Sequence, residues 1–282
     1  MLANQLPKSK IFKFIDNRYN FIFHFLEAQE LIHDQAITHG FNAQGLAFLR
    51  ELVLSTQPLI SFLKPGEGLG IYIDSDNPKF MFKLETNYSG QMRTLLMPED
   101  FDQFPKTLTG NCRLTKVQPG KYAPYTSIIK LNKTPIAEAA NKILSESYQV
   151  NNQVLVSQNT DQSLMIGKLP IISGRDQFED IPIEEYFTRN KTLIDQVFSM
   201  IGGEEKDIVQ ELAKHKLVFQ GSVPVTFHCH CSHQKMVDNL RTLQADDQQH
   251  LFEEGNNFIE LKCDYCKTLY KITKDEVERP HH

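Results

Sequence analysis

No stretch of this 282-residue chain stays apolar for the roughly eighteen residues that a membrane-crossing helix needs, so no membrane span is expected. The N-terminus lacks the charged region, apolar block and small-residue cleavage site of a signal peptide, and none is read there. Gly-x-Ser-x-Gly and His-Glu-x-x-His are both absent. The glycine cluster Gly66-Glu67-Gly68-Leu69-Gly70 is followed by Ile71-Tyr72-Ile73 and by no Lys-Ser/Thr, so it reads as a turn before a strand rather than a phosphate loop. No enzyme is expected from these residues. Basic charge is also short: the formal net charge is −5, with +2 on residues 1–174, −4 on 175–220 and −3 on 221–282. An acidic tail argues against nucleic acid as a partner. Cysteine is scarce, with five in all, and four of these stand in close pairs. That usage fits a reducing, cytoplasmic location better than a disulfide-stapled secreted protein.

The pairs are Cys229-His230-Cys231 and, after 31 intervening residues, Cys263-Asp264-Tyr265-Cys266. Cys-x-x-Cys at a hairpin turn aims two sulfurs at one point. Cys-x-Cys in an extended segment puts two thiols on one face, because strand side chains repeat every second residue. Four soft thiolates close a tetrahedral zinc site and leave no position for a reactive water, so Cys229, Cys231, Cys263 and Cys266 are read as a structural site. The same spacing permits a local disulfide within each pair where the backbone can bend, and such small loops make labile bridges. A zinc-held thiolate is open to oxidants, so the motif reads as a zinc site that can also switch by redox. His228, His230 and His233 crowd the first pair; with four thiolates available they read as solvated or neighbouring imidazoles. Cys112 lies in a strand pattern and reads as buried and inert. His281-His282 reads as a solvated terminus or expression remnant.

Along the chain, Ile11–Phe25 suggests two strands about a turn at Asp16-Asn17. A helix over Leu26–His39 ends at Gly40, and Asn42 caps a second bearing Leu46, Leu49, Val53 and Leu54 on one face. Phe80, Phe82 and Leu84 alternate as a half-buried strand. Asn111–Val117 and Tyr125–Leu131 are further strands, and Thr134-Pro135 starts a helix with the stripe Ile136, Ala139, Ala140, Ile143, Leu144. Val154–Ser157 and Leu164–Leu169 follow, and Ser173-Gly174 closes the region. The expected architecture is α+β: a core domain over 1–174 with a mostly antiparallel sheet and packed helices, a helical linker over 175–224, and a small zinc-binding domain over 225–282. The linker's apolar residues are Phe178, Ile181, Ile183, Tyr186 and Phe187, then Leu193, Ile194, Val197, Phe198 and Ile201 on one stripe ended by Gly202-Gly203. Helices this short need a neighbour to pack on. In the tail, Ser232 caps a helix carrying Met236, Val237, Leu240 and Leu243, Asp246 or Asp247 starts another, and Phe258–Lys262 is a strand. Leu269 and Ile272 are expected to cover the metal, which should supply much of the tail's folding energy.

Phe227-His228-Cys229-His230-Cys231-Ser232, the polar helical stretch, the acidic turn Glu253-Glu254-Gly255 and the segment Phe258–Tyr270 together resemble the redox-regulated 33 kDa chaperonin (heat shock protein 33) family. Thr134-Pro135-Ile136-Ala137-Glu138 resembles a helix start of that family's core. The resemblance implies an ATP-independent holdase that binds unfolding proteins under oxidative stress. It implies one zinc ion per chain when reduced, and disulfides Cys229–Cys231 and Cys263–Cys266 with zinc release when oxidised. It further implies a metastable linker that frees client-binding residues such as Phe187, Leu193, Val197, Phe198 and Ile201, and a homodimer in the active form. Two other classes stay open on the residues alone: a zinc-ribbon nucleic-acid or transcription-related module, and a thiol–disulfide oxidoreductase.

Overall fold

The computed structural model describes residues 6–171, 178–252 and 257–278. Ser173-Gly174, the boundary between 174 and 175, Glu253-Glu254-Gly255 and His281-His282 lie outside the described residues. The chain divides into two compact units, one ending at Phe227 and the other beginning at His228. Among the described residues no helix is long and apolar enough to cross a membrane.

The first unit opens with β1 (Lys10–Asp16) and β2 (Phe21–Glu27). β2 runs through Leu26 and Glu27, so α1 (Gln29–His39) starts later than the apolar pattern suggests. Leu26 and Glu27 pair with Ser163 and Gln162, and that ladder outweighs the local helical pattern. Gly40 ends α1 with φ 63°, a left-handed conformation that glycine adopts without strain. Asn42 caps α2 (Ala43–Thr56) by accepting a hydrogen bond from the Gly45 amide at 2.8 Å. A 3-10 turn over Gln57–Phe62 leads to β3 (Gly68–Asp76), β4 (Lys79–Asn87), β5 (Gln91–Met97), β6 (Thr107–Val117) and β7 (Tyr125–Pro135). Pro135 ends β7 and precedes the helical turn instead of filling its first position; the Thr134 hydroxyl accepts from the Asn132 amide and caps nothing. The stripe beyond it is buried as expected, through α3 (Ala139–Ile143) and Leu144. β8 (Asn152–Val156) and β9 (Gln162–Lys168) complete the core strands.

The segment expected to be wholly helical holds α4 (Ile183–Arg189), α5 (Lys191–Val197) and α6 (Glu205–Lys214), and then a strand, β10 (Val218–Pro224); β11 (Thr226–Phe227) follows just beyond it. α5 stops at Val197, short of Gly202-Gly203: the Ser199 and Met200 amides fold back onto the Gln196 and Val197 carbonyls. Ile201 is 47% exposed, so a further helical turn would have buried little.

Two sheets result, with orders β10-β1-β2-β9-β8 and β11-β5-β4-β3-β6-β7. All pairings in them are antiparallel except β11 with β5. Strand alternation divides the core. One cluster joins Ile11, Leu26 and Met165 of the five-stranded sheet to α1–α3 and to Ile71, Phe82 and Leu114 of the six-stranded sheet. The opposite face of the five-stranded sheet presents Phe12, Phe14, Phe21, Phe23 and Phe25, and the linker residues Ile183, Tyr186, Leu193, Val197 and Leu212 cover it. Tyr186 is fully buried, stacks on Phe21 at 4.2 Å, and donates its hydroxyl to the buried Asp16 carboxylate at 3.2 Å.

The second unit contains α7 (His233–Arg241), α8 (Ala245–Leu251), β12 (Phe258–Lys262), β13 (Leu269–Thr273) and α9 (Lys274–Glu278). β12 and β13 form an antiparallel hairpin. Its small core consists of Val237, Leu240, Phe252, Ile272 and Val277.

Candidate metal centre

Each cysteine pair is aimed by its backbone. Ser232 follows Cys231 directly and accepts a hydrogen bond from the Lys235 amide, so the chain turns into α7 as soon as the first pair has passed. The Lys235 ammonium donates to the His230 carbonyl at 2.7 Å. The second pair occupies the β12–β13 turn. The Cys263 amide donates to Thr268 O at 2.9 Å, the Lys267 amide donates to Cys263 O at 2.8 Å, and Lys267 takes a left-handed φ of 60°. This turn folds Cys266 back beside Cys263.

The four sulfurs meet. Cys229 Sγ lies 3.7 Å from Cys263 Sγ, Cys231 Sγ lies 3.2 Å from Cys266 Sγ, and all four sit within 4.8 Å of one another. A tetrahedral ion with sulfur bonds of about 2.3 Å has S···S edges of about 3.8 Å, so the cluster has the size and donor set for a metal ion held by four thiolates. No imidazole joins the cluster among the described residues. The His228 and His230 rings meet each other edge to face at 4.6 Å, and His233 Nε2 contacts Lys271 O at 3.2 Å.

Surroundings divide the four thiols. Burial pushes Cys231 up to about 12 and Cys263 upward as well, because a thiolate loses hydration there. Burial also opposes ionisation of Cys266, but the Thr268 hydroxyl and amide and the sulfurs of Cys231 and Cys263 outweigh it and bring that thiol down to about 7. Negative charge therefore enters more readily at Cys266 than at Cys231 or Cys263. Two polar neighbours escaped the sequence reading: Thr268, whose Oγ1 lies 3.2 Å from Cys266 Sγ, and Tyr270, whose Oη lies 3.0 Å from Cys231 Sγ. Strand alternation could have found Tyr270, since it shares the inward face of β13 with Ile272. Ile272 is fully buried as expected, whereas Leu269 is 65% exposed and covers nothing.

The other singled-out residues lie in the first unit. Leu193 and Val197 are buried, Phe187 and Phe198 pack partly buried against the same cluster, and Ile201 faces solvent. Cys112 is fully buried on β6, opposite Ile73 and Ile129.

A family model described as Hsp33 protein matches residues 9–273. A relative from Thermosipho melanesiensis named 33 kDa chaperonin is 24% identical over 282 residues, covering 91% of this chain and 93% of its own length. A protein of the same name from Photorhabdus laumondii is 21% identical over 280 residues, covering 96% and 95%. Among solved structures, the 33 kDa chaperonin (heat shock protein 33 homolog) of Thermotoga maritima matches with a TM-score of 0.72 at 16% identity, over 96% of this chain and 97% of that one. At that identity the structural likeness speaks for the fold.

Proposed function

The chain belongs to the Hsp33 protein family, and from that premise we propose that it is a redox-regulated, ATP-independent holdase of the cytoplasm. It binds unfolding proteins and does no catalysis. The observation that carries this reading is the convergence of Cys229, Cys231, Cys263 and Cys266 within 4.8 Å, immediately after the last strand of the first unit.

In the reduced state the four thiolates hold one zinc ion, and zinc keeps them deprotonated and ties the small second unit together. Oxidation with a peroxide is balanced as follows. The four thiolates give up four electrons to two equivalents of hydrogen peroxide. Disulfides Cys229–Cys231 and Cys263–Cys266 form, both O–O bonds break, four hydroxide ions leave, and the zinc ion is freed. The unit beginning at His228 then loses its cross-link. Chain continuity carries the loss backward, because Cys229 stands two residues beyond β11. β11 is held to β5 only through Thr226–Gln91 and Phe227–Met92, with the Thr226 amide donating to Gly90 O at 3.0 Å.

α4 to α6 are the cover that would come away. They span seven, seven and ten residues, too short to persist without the sheet beneath them. Their release exposes the client-binding candidates Phe187, Leu193, Val197 and Phe198 beside the already exposed Ile201. It also uncovers the phenylalanine face of the five-stranded sheet. A contiguous apolar surface of this kind suits unfolded chains, whose exposed side chains share only their hydrophobicity. The oxidised protein pairs into a homodimer, which sedimentation would detect.

The test follows zinc content, free thiols and suppression of client aggregation on one sample through oxidation. The reading expects zinc to leave as four thiols vanish, with suppression appearing only afterwards. Zinc and thiols that survive mild oxidant would leave a structural metal site without a switch.

A further inference from the structure

The contact between Tyr270 and Cys231 is outside the four-cysteine set, and its chemistry bears on the redox reading. Tyr270 sits on β13 opposite Leu261 of β12, with its side chain turned toward the small core beside Ile272. Its Oη lies 3.0 Å from Cys231 Sγ. Cys231 Sγ in turn lies 3.2 Å from Cys266 Sγ, whose other polar neighbour is Thr268 Oγ1 at 3.2 Å. A metal-bound thiolate has no proton, so in the loaded site the phenol is the donor and the sulfur the acceptor. A hydrogen bond to a charged sulfur draws density away from the lone pair that must attack an oxidant. It also occupies one direction of approach to that atom.

We infer that Tyr270 is a positioning residue that restrains the oxidation of Cys231, so that its hydroxyl sets how much hydrogen peroxide the site tolerates before opening. The inference rests on the proposed redox switch. The restrained step is attack of the Cys231 thiolate on one peroxide oxygen: the S–O bond forms, the O–O bond breaks, hydroxide leaves, and Cys231 becomes a sulfenic acid. The Cys229 thiolate then displaces hydroxide from that sulfur to close the Cys229–Cys231 bridge. Tyr270 gives up no electron and is not consumed. Loss of its hydroxyl strengthens the nucleophile and clears its approach, while the ring still packs beside Ile272.

The experiment uses the full-length, reduced, zinc-loaded protein and its Tyr270→Phe variant. Zinc release is followed with a colorimetric chelator over a series of hydrogen peroxide concentrations, and again with no peroxide. Quenched samples are mapped by mass spectrometry for the order in which the cysteines are modified. The second-order rate of peroxide-driven release should rise about fivefold in Tyr270→Phe, with passive loss to the chelator rising less. Cys231 should move earlier in the order of modification. Replacing Tyr270 by 3-fluorotyrosine, a near-isosteric and stronger donor, should slow the peroxide-driven rate below that of the unmodified protein. A purely structural role would not produce opposite signs from these two replacements. A Tyr270→Phe rate equal to that of the unmodified protein, or raised only as much as passive loss, overturns the role of Tyr270 and leaves the switch intact. An unmodified protein that keeps its zinc under peroxide overturns both.

Discussion

Cys112 and Cys266 carry the same thiol into opposite surroundings. Cys112 is fully buried between neighbouring strands, where burial, and the nearby Asp74 carboxylate after it, push the thiol up to about 12. At neutral pH almost none of it is thiolate, so it has neither the access nor the charge to react. The reduced, zinc-free protein treated with iodoacetamide at pH 7 should take label on the tail cysteines. Cys112 should stay unlabelled until denaturant is added; peptide mapping checks the order, and early label on Cys112 would contradict its burial. His24 offers a test of sign. It lies on β2 opposite Lys13 and Met165, and burial, with a smaller push from the Lys13 charge, lowers its pKa from 6.5 to about 3. Above pH 6.5 the side chain is neutral in both folded and unfolded states and contributes nothing to pH dependence. As pH falls from 6.5 toward 3, the unfolded chain binds a proton that the folded chain refuses, and stability drops by about 1.4 kcal/mol per pH unit. His24→Leu removes that slope and an unpartnered buried Nδ1 with it. Urea denaturation at pH 7 and pH 5 should show the variant losing about 2 kcal/mol less than the parent on acidification. Equal losses would place the acid sensitivity elsewhere.

At the scale of elements, the linker's stability is borrowed from the sheet it covers. α6 contributes Leu212, fully buried against the phenylalanine face, and helices of this length gain little from propensity alone. Leu212→Ala should cost about 2–4 kcal/mol, concentrated in the linker. The reduced, zinc-loaded variant should then bind a hydrophobic dye and suppress client aggregation before any oxidant is added, with its zinc content unchanged. A zinc-loaded variant as silent as the parent would show that the linker is held by something other than this packing. The apolar spacing that revealed α5 is local, so it was readable from the sequence. β10 was not: Val218–Pro224 contains Gly221 and Pro224, residues that depress a strand reading, and lies on a sheet edge with no fully buried side chain. Its strand identity comes from pairing with β1, some two hundred residues earlier, across a bulge between Lys13 and Phe14. Gly90 fixes the junction after it, because a Cβ there would stand 1.7 Å from the Pro224 carbonyl oxygen.

At the scale of the molecule, the two units are built on different terms, and so their legibility differs. The four clustered cysteines of the second unit were readable because metal-binding motifs impose short, regular spacing on the sequence. The two-sheet architecture of the first was readable only as a class, since the order β10-β1-β2-β9-β8 joins strands from both ends of the unit. The energetic contrast is as sharp. The first unit has two extensive buried clusters, whereas among the described residues the second gathers only Val237, Leu240, Phe252, Ile272 and Val277. So small a core recovers little of the entropy lost in ordering its helices and hairpin. A four-thiolate zinc site can supply on the order of 10 kcal/mol of folding energy, enough to decide whether such a unit is folded. Chelating the metal under reducing conditions should therefore remove amide protection from α7, β12 and β13 while β3, β4 and β6 exchange as before. Hydrogen exchange read by mass spectrometry makes the comparison. If β12 and β13 stay protected without metal, the apolar cluster alone holds the unit, and loss of zinc could not be the event that opens the protein.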